Sequence, residues 1–265
     1  MTSLSLEVKD LSSGYGNNLI LEGLDLTIAS GKISVIVGAN ACGKSTLLRT
    51  MSRLLVPQQG TVLLDGKSIH QMPSRTLARS LGLLPQSPIA PDGITVADLV
   101  SRGRHPYQGI FSRWTHADNE AVAAALSATK TLQLADRMVD ELSGGQKQRV
   151  WIAMALAQQT EILLLDEPTT FLDISHQVEV LDLLTDLNRE RQTTIVMVLH
   201  DLNLAARYAD HLIAMAEGKL HIEGPPHAVL REDTVRAVFN LDSQIITDPT
   251  SGRPMMLPIS RYPKR

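Results

Sequence analysis

Nine consecutive residues leave this chain few folds to choose from. Gly38, Ala39, Asn40, Ala41, Cys42, Gly43, Lys44, Ser45 and Thr46 read GANACGKST, which fits G-x-x-x-x-G-K-S/T. Residues 33–37 before it, ISVIV, form a continuous β-branched run of the kind buried on both faces of a sheet. Residues 44–55, KSTLLRTMSRLL, repeat leucine at helical spacing. Strand, glycine turn and helix in that order make a cradle for phosphate. Backbone N–H groups of the turn and helix start point at a β-phosphate, Lys44 supplies positive charge to the β- and γ-phosphates, and Ser45 offers its hydroxyl to Mg²⁺. By chance the pattern arises in about one chain in a hundred of this length, before its flanking elements are demanded. Cys42 lies inside the loop, where the helix dipole that attracts phosphate also favours a thiolate. Alkylation of Cys42 is therefore expected to block ATP binding, and bound ATP to protect the thiol.

Two further apolar runs end in chemistry. Residues 162–168 read ILLLDEP, a strand closing on two adjacent carboxylates. Successive side chains of a strand diverge, so Asp166 is expected to face Mg²⁺ and Glu167 a water in line with the γ-phosphate. Residues 194–200 read TIVMVLH, which puts His200 at the carboxyl edge of another strand, the edge where open α/β sheets bind ligands. A role as hydrogen-bond donor to the γ-phosphate suits it better than that of sole general base.

The bulk properties narrow the partners. The 25 Lys and Arg against 28 Asp and Glu give a net charge of −3, and aromatic residues make up 3% of the chain. There is thus no general basic field for a polyanion and little material for base stacking, so nucleic acid is not expected as a partner. No apolar run approaches the roughly 20 residues that span a bilayer. The first residues lack the pattern of a secretory leader and Cys42 is the single cysteine, which together predict a cytoplasmic protein.

Along the chain, residues 4–28 alternate apolar and polar and read as antiparallel strands with tight turns. Residues 95–159 hold helical patterns, in 117–138 and 144–159, behind an entry marked by Pro85, Pro88 and Pro91. The amphipathic stretch 175–190 joins the strands at 162–165 and 194–199, so these pair in parallel through a right-handed crossover. Residues 212–224 read as a hairpin turning at Glu217 and Gly218, followed by two short helices and a proline-bearing tail. The expected class is α/β, a P-loop NTPase (RecA-like) core sheet with an N-terminal antiparallel β subdomain and an inserted α-helical subdomain. Residues 1–240 are taken as one domain with the helical insertion at about 87–159, and residues 241–265 as a short C-terminal extension.

Residues 142–146 read LSGGQ. With the phosphate loop upstream and ILLLDEP downstream, the chain resembles the ATP-binding cassette (ABC) ATPases from Tyr15 to about Gly224. Ser143, Gly144, Gly145 and Gln146 at a helix start offer backbone N–H groups and little side-chain bulk. The resemblance implies that this signature meets the γ-phosphate of ATP held by the opposite subunit, so that a homodimer encloses two nucleotides. It further implies that Tyr15 stacks on adenine, that Gln86 senses Mg²⁺ and the attacking water, and that Asp173 crosses the dimer interface. Two departures stand out. Ala41 replaces a common glycine, at about 1 kcal/mol only where positive φ is required, and Phe171 replaces a small residue before Leu172 and Asp173.

Residues 103–114, GRHPYQGIFSRW, together with WIAMALAQ and EPTTFLDISHQ, resemble the iron-chelate branch of bacterial import ATPases, above all those serving ferric siderophores. That resemblance implies ATP and Mg²⁺ as cofactors, integral membrane permease subunits as partners at the cytoplasmic face of the inner membrane, and indirect service to a periplasmic or surface siderophore-binding protein. His105 and His116 read as surface residues. Haem, cobalamin or another metal chelate is the alternative cargo, and a soluble switch on ribosomes or DNA the more distant alternative.

Overall fold

The computed structural model describes residues 4–109, 113–170 and 172–260. Phe171 and residues 110–112 of the 103–114 segment lie outside them. The chain divides into two compact units, a flanking unit of residues 5–70 and 196–260 and an inserted unit of residues 71–195 with Leu4.

The flanking unit opens with β1 (Leu6–Tyr15) and β2 (Asn18–Ile28), then β3 (Ile33–Gly38), α1 (Lys44–Met51), β4 (Gln59–Leu64) and β5 (Lys67–Ser68). β1 and β2 are antiparallel, as the alternation predicts, and β4 and β5 extend them into a four-stranded sheet ordered β2-β1-β4-β5. Ile33, Val35, Ile36 and Val37 of β3 are each at most 3% exposed, worth about 1.5–3 kcal/mol per side chain. Helix α1 stops short of the predicted residue 55. Arg53 takes φ 64, and the N–H groups of Leu54 and Leu55 turn back to the Arg49 carbonyl at 2.9 and 3.1 Å, a left-handed helix end.

The inserted unit carries α2 (Ser74–Ser80), β6 (Leu81–Leu84), α3 (Val96–Ser101), a 3-10 turn (Arg102–Tyr107), α4 (His116–Ala128), α5 (Gly144–Ala157), β7 (Ile162–Asp166) and α6 (Ile174–Arg191). β6 and β7 pair in parallel. The helical pattern of 117–138 breaks after Ala128. Lys130 takes φ 54, and the Thr131 N–H turns back to the Leu126 carbonyl at 2.8 Å, a left-handed helix end. The chain leaves this unit within β8 (Thr194–Val198), where Thr194 N–H bonds the Glu161 carbonyl at 2.8 Å.

Back in the flanking unit come α7 (Leu202–Tyr208), β9 (His211–Ala216), β10 (Lys219–Gly224), α8 (Pro226–Val229), α9 (Glu232–Phe239), β11 (Ser243–Thr247) and β12 (Pro254–Pro258). β9 lies parallel to β3, and β10 returns antiparallel to β9 through the predicted turn. The proline-bearing tail carries a hairpin of β11 and β12. Asn203 of α7 holds it by exchanging hydrogen bonds with the Met256 backbone at 3.2 and 2.7 Å. At its turn Asp248 accepts from the Ser251 hydroxyl and from the Thr250 N–H and hydroxyl, which with Arg207 nearby pull its pKa down to about 2. Because the folded value lies below the unfolded one, this contribution is complete above about pH 4 and fades as pH falls towards 2. Asp248→Asn is expected to lower stability at pH 6 and to match the parent near pH 2, as read by denaturation across that range.

Candidate functional site

In the flanking unit the phosphate loop runs from the end of β3 into α1. Lys44 is 6% exposed, and its Nζ donates to the carbonyls of Gly38 at 2.9 Å and Ala39 at 2.8 Å and lies 3.9 Å from the Cys42 sulfur. A buried ammonium curled onto its own loop needs only a rotamer change to meet an anion on the loop's N–H groups. Cys42 is itself buried, so a thiol reagent must displace part of the loop to reach it. Ala41 has φ 62, so the condition for its cost of about 1 kcal/mol is met.

A contact that sequence reading missed braces the loop. The N–H of Gly218, in the β9–β10 turn, donates to the Cys42 carbonyl at 3.2 Å, and its carbonyl accepts from Glu22 N–H at 3.2 Å. Gly218 has φ +77, and a Cβ there would lie 2.0 Å from the Ile20 carbonyl oxygen. Gly218→Ala is therefore expected to destabilise the protein by about 3 kcal/mol, measured by denaturant unfolding, and to weaken ATP binding through the loop. The turn signal at residues 217–218 was readable; its partner was not.

Tyr15 is 44% exposed at the end of β1, and its hydroxyl accepts from Arg49 Nη1 at 2.9 Å, which fixes a ring free to stack. His200 follows Leu199, whose N–H bonds the Ile36 carbonyl at 3.3 Å. It is exposed and precedes Asp201, whose carboxylate caps α7.

In the inserted unit, Asp166 ends β7 and is 2% exposed. Glu167 corrects the alternation argument. It lies outside the strand with φ 55, so a left-handed kink and not the strand's period sets its direction, at about 1–3 kcal/mol of strain. Three contacts hold that kink. Gln86 Nε2 donates to Glu167 Oε2 at 2.7 Å, the Thr170 hydroxyl donates to the same oxygen at 3.0 Å, and Thr170 N–H donates to the Glu167 carbonyl at 3.2 Å. Gln86, singled out by resemblance for the metal, thus spends its amide N–H on Glu167 and keeps its carbonyl oxygen as an acceptor. Gln148 of α5 donates to the Pro168 carbonyl at 2.9 Å; neither Thr170 nor Gln148 stood out in the sequence.

Ser143 caps α5 in a capping box: Gln146 N–H donates to its hydroxyl at 3.3 Å, and Ser143 N–H donates to Gln146 Oε1 at 3.1 Å. Gly144 is exposed, and a Cβ added there meets nothing within 4 Å, whereas one at Gly145 would touch Leu172 at 3.3 Å. Asp173 caps α6 and is exposed. The His176 N–H and the Ser175 hydroxyl hold its carboxyl below the usual range. His105 and His116 are exposed, the latter 3.3 Å from Glu120.

A buried strand running through a glycine loop with an inward lysine into a helix, within an α/β fold, defines a P-loop nucleoside triphosphatase. The model of the ABC transporter family matches residues 21–170. The chain is 52% identical to the Probable siderophore transport system ATP-binding protein YusV of Bacillus subtilis (strain 168), over 98% of this chain and 94% of that one. It is 53% identical to the Achromobactin transport ATP-binding protein CbrD of Dickeya dadantii (strain 3937), over 96% and 94%. Among solved structures, an ABC transporter assigned to the metal-chelate type and caught facing inward matches at TM-score 0.83 and 29% identity, covering 97% of this chain and 98% of that one. The chain belongs to the ABC transporter family and is an ATPase of that family. Among its described residues no helix is long and apolar enough to cross a membrane.

Proposed function

We propose that this chain is the ATP-hydrolysing subunit of an importer for Fe³⁺-siderophore complexes, working as a homodimer on integral membrane permease subunits at the cytoplasmic face of the bacterial inner membrane. A periplasmic or surface binding protein delivers the chelate, which the ATPase never touches. The observation that carries the cargo is near-full-length identity above one half to ATP-binding proteins of siderophore transport.

Tyr15 takes the adenine, and Lys44 with the loop N–H groups takes the β- and γ-phosphates. Ser45, Gln86 and Asp166 would hold Mg²⁺; hydroxyl, amide and carboxylate oxygens form the hard donor set that this ion prefers, and bound there it would supply positive charge against the phosphates. Glu167, with Gln86 and Thr170 fixing its carboxylate, accepts a proton from the attacking water, and His200 steadies the γ-phosphate. Ser143, Gly144, Gly145 and Gln146 of the second copy close over the nucleotide, with Asp173 at the same interface. The clear space over Gly144 supports that part, because the chain's own packing does not require a glycine there. ATP draws the dimer shut, and loss of phosphate lets it open, so the work done on the permease comes from the difference in affinity between ATP and ADP states.

Cells lacking this subunit should lose uptake of at least one ferric siderophore in a panel and regain it on complementation, and the subunit should co-purify with an integral membrane permease. Unchanged uptake across the panel with loss of haem or cobalamin uptake would reassign the cargo, and recovery with ribosomes or DNA would overturn transport.

A further inference from the structure

We propose that Arg104 is a positioning residue for ATP turnover: it clamps the end of α5 opposite the LSGGQ signature, so that the placement of residues 102–107 sets the placement of Ser143 to Gln146. Helix α5 (Gly144–Ala157) is about 21 Å long, with the signature at its start. No basic residue of its own serves the last turn, where free carbonyls concentrate negative potential. Arg104, brought in from the 3-10 turn, supplies that charge. Its Nη1 donates to the Ala157 carbonyl at 2.9 Å and to Gln159 Oε1 at 3.0 Å, while its Nε pairs with Asp118 at 2.9 Å. Both side chains of the pair are 6% exposed.

The joint is tight on every side. Tyr107 lies against the Arg104 guanidinium, 3.9 Å from ring centre to Cζ, and its hydroxyl donates to the Gln158 carbonyl at 3.0 Å. Gly103 approaches α5 so closely that a Cβ there would lie 2.3 Å from the Met154 carbonyl oxygen. Midway along α5, Gln148 bonds the Pro168 carbonyl beside Glu167. A displacement of residues 102–107 therefore moves a rigid rod that carries the signature at its tip and touches the Glu167 turn on the way.

The inference rests on the proposed meeting of the signature with the partner's nucleotide. Its test is the ATP-driven self-association of full-length Glu167→Gln protein, followed by sedimentation, with Arg104→Lys added. Lysine keeps the charge but lacks the planar fork that meets Asp118, Ala157 and Gln159 together. The dimer is expected to weaken about tenfold, while ATP affinity of the isolated chain stays within about twofold. A fold-only role would lower the melting temperature and leave self-association untouched. Tyr107→Phe, which removes one hydroxyl and no buried charge, should weaken the dimer in the same direction by about threefold, and it decides the matter should Arg104→Lys not fold. Unchanged self-association in the folded variants overturns the inference. Failure of the Glu167→Gln parent to associate overturns the reading of the signature, and this inference with it.

Discussion

Glu167→Gln is expected to bind ATP as tightly as the parent and to hydrolyse it about a thousandfold more slowly. Glutamine matches glutamate in size, and its amide oxygen still accepts from Gln86 and Thr170, which now bond the carboxylate at 2.7 and 3.0 Å. The kink at Glu167, with φ 55, is held partly by Thr170 N–H on the main-chain carbonyl, which the substitution does not touch. What is lost is the capacity to take a proton from water. Steady-state turnover beside equilibrium ATP binding measures the split, and hydrolysis within tenfold of the parent would remove Glu167 from its proposed role.

Lys44→Ala should lose ATP binding and transport together, with affinity down by about a hundredfold or more. Without nucleotide the ammonium leans on two neutral carbonyls, of which that of buried Gly38 loses a donor when the side chain goes, so the empty protein should lose about 1–3 kcal/mol of stability. The fall in affinity then measures the phosphate contact itself. Calorimetric binding of ATP together with a thermal melt of the empty protein separates the two, and parental affinity in a folded Lys44→Ala protein would contradict the proposed cradle.

Elements with a strong period were legible in the sequence: β3, α5, β7, α6, β8 and the β9–β10 hairpin sit where apolar runs and turn residues put them, and α1 begins where predicted but ends a turn early. Short or weakly patterned elements were not. β4, β5, α2 and β6 lack a long apolar face, and the β11–β12 hairpin owes its turn to the hydroxyls around Asp248, which local composition presents as an ordinary polar tail. The end of α4 was missed because it turns on a left-handed Lys130, a residue type that does not announce that conformation. In the candidate site, residue types and spacings named Lys44, Asp166, Glu167 and His200 directly, while Tyr15, Gln86 and Asp173 needed the resemblance. Long-range partners stayed hidden. Nothing local ties Gly218 to Cys42, Thr170 to Glu167 or Arg104 to Ala157, because each pair is joined only by the folded path of the chain.

That two copies of this chain enclose ATP between phosphate loop and signature can be tested by sedimentation of Glu167→Gln protein with saturating Mg-ATP, with and without Gly144→Leu. Exposed Gly144 has no neighbour for an added Cβ, and leucine favours a helix over glycine by about 0.8–1 kcal/mol, so the substitution should leave the single chain folded and able to bind nucleotide. The expected result is a dimer holding two ATP for Glu167→Gln alone and an ATP-bound monomer when Gly144→Leu is added. Equal dimerisation of the two proteins, or a monomer in both, would contradict the shared site.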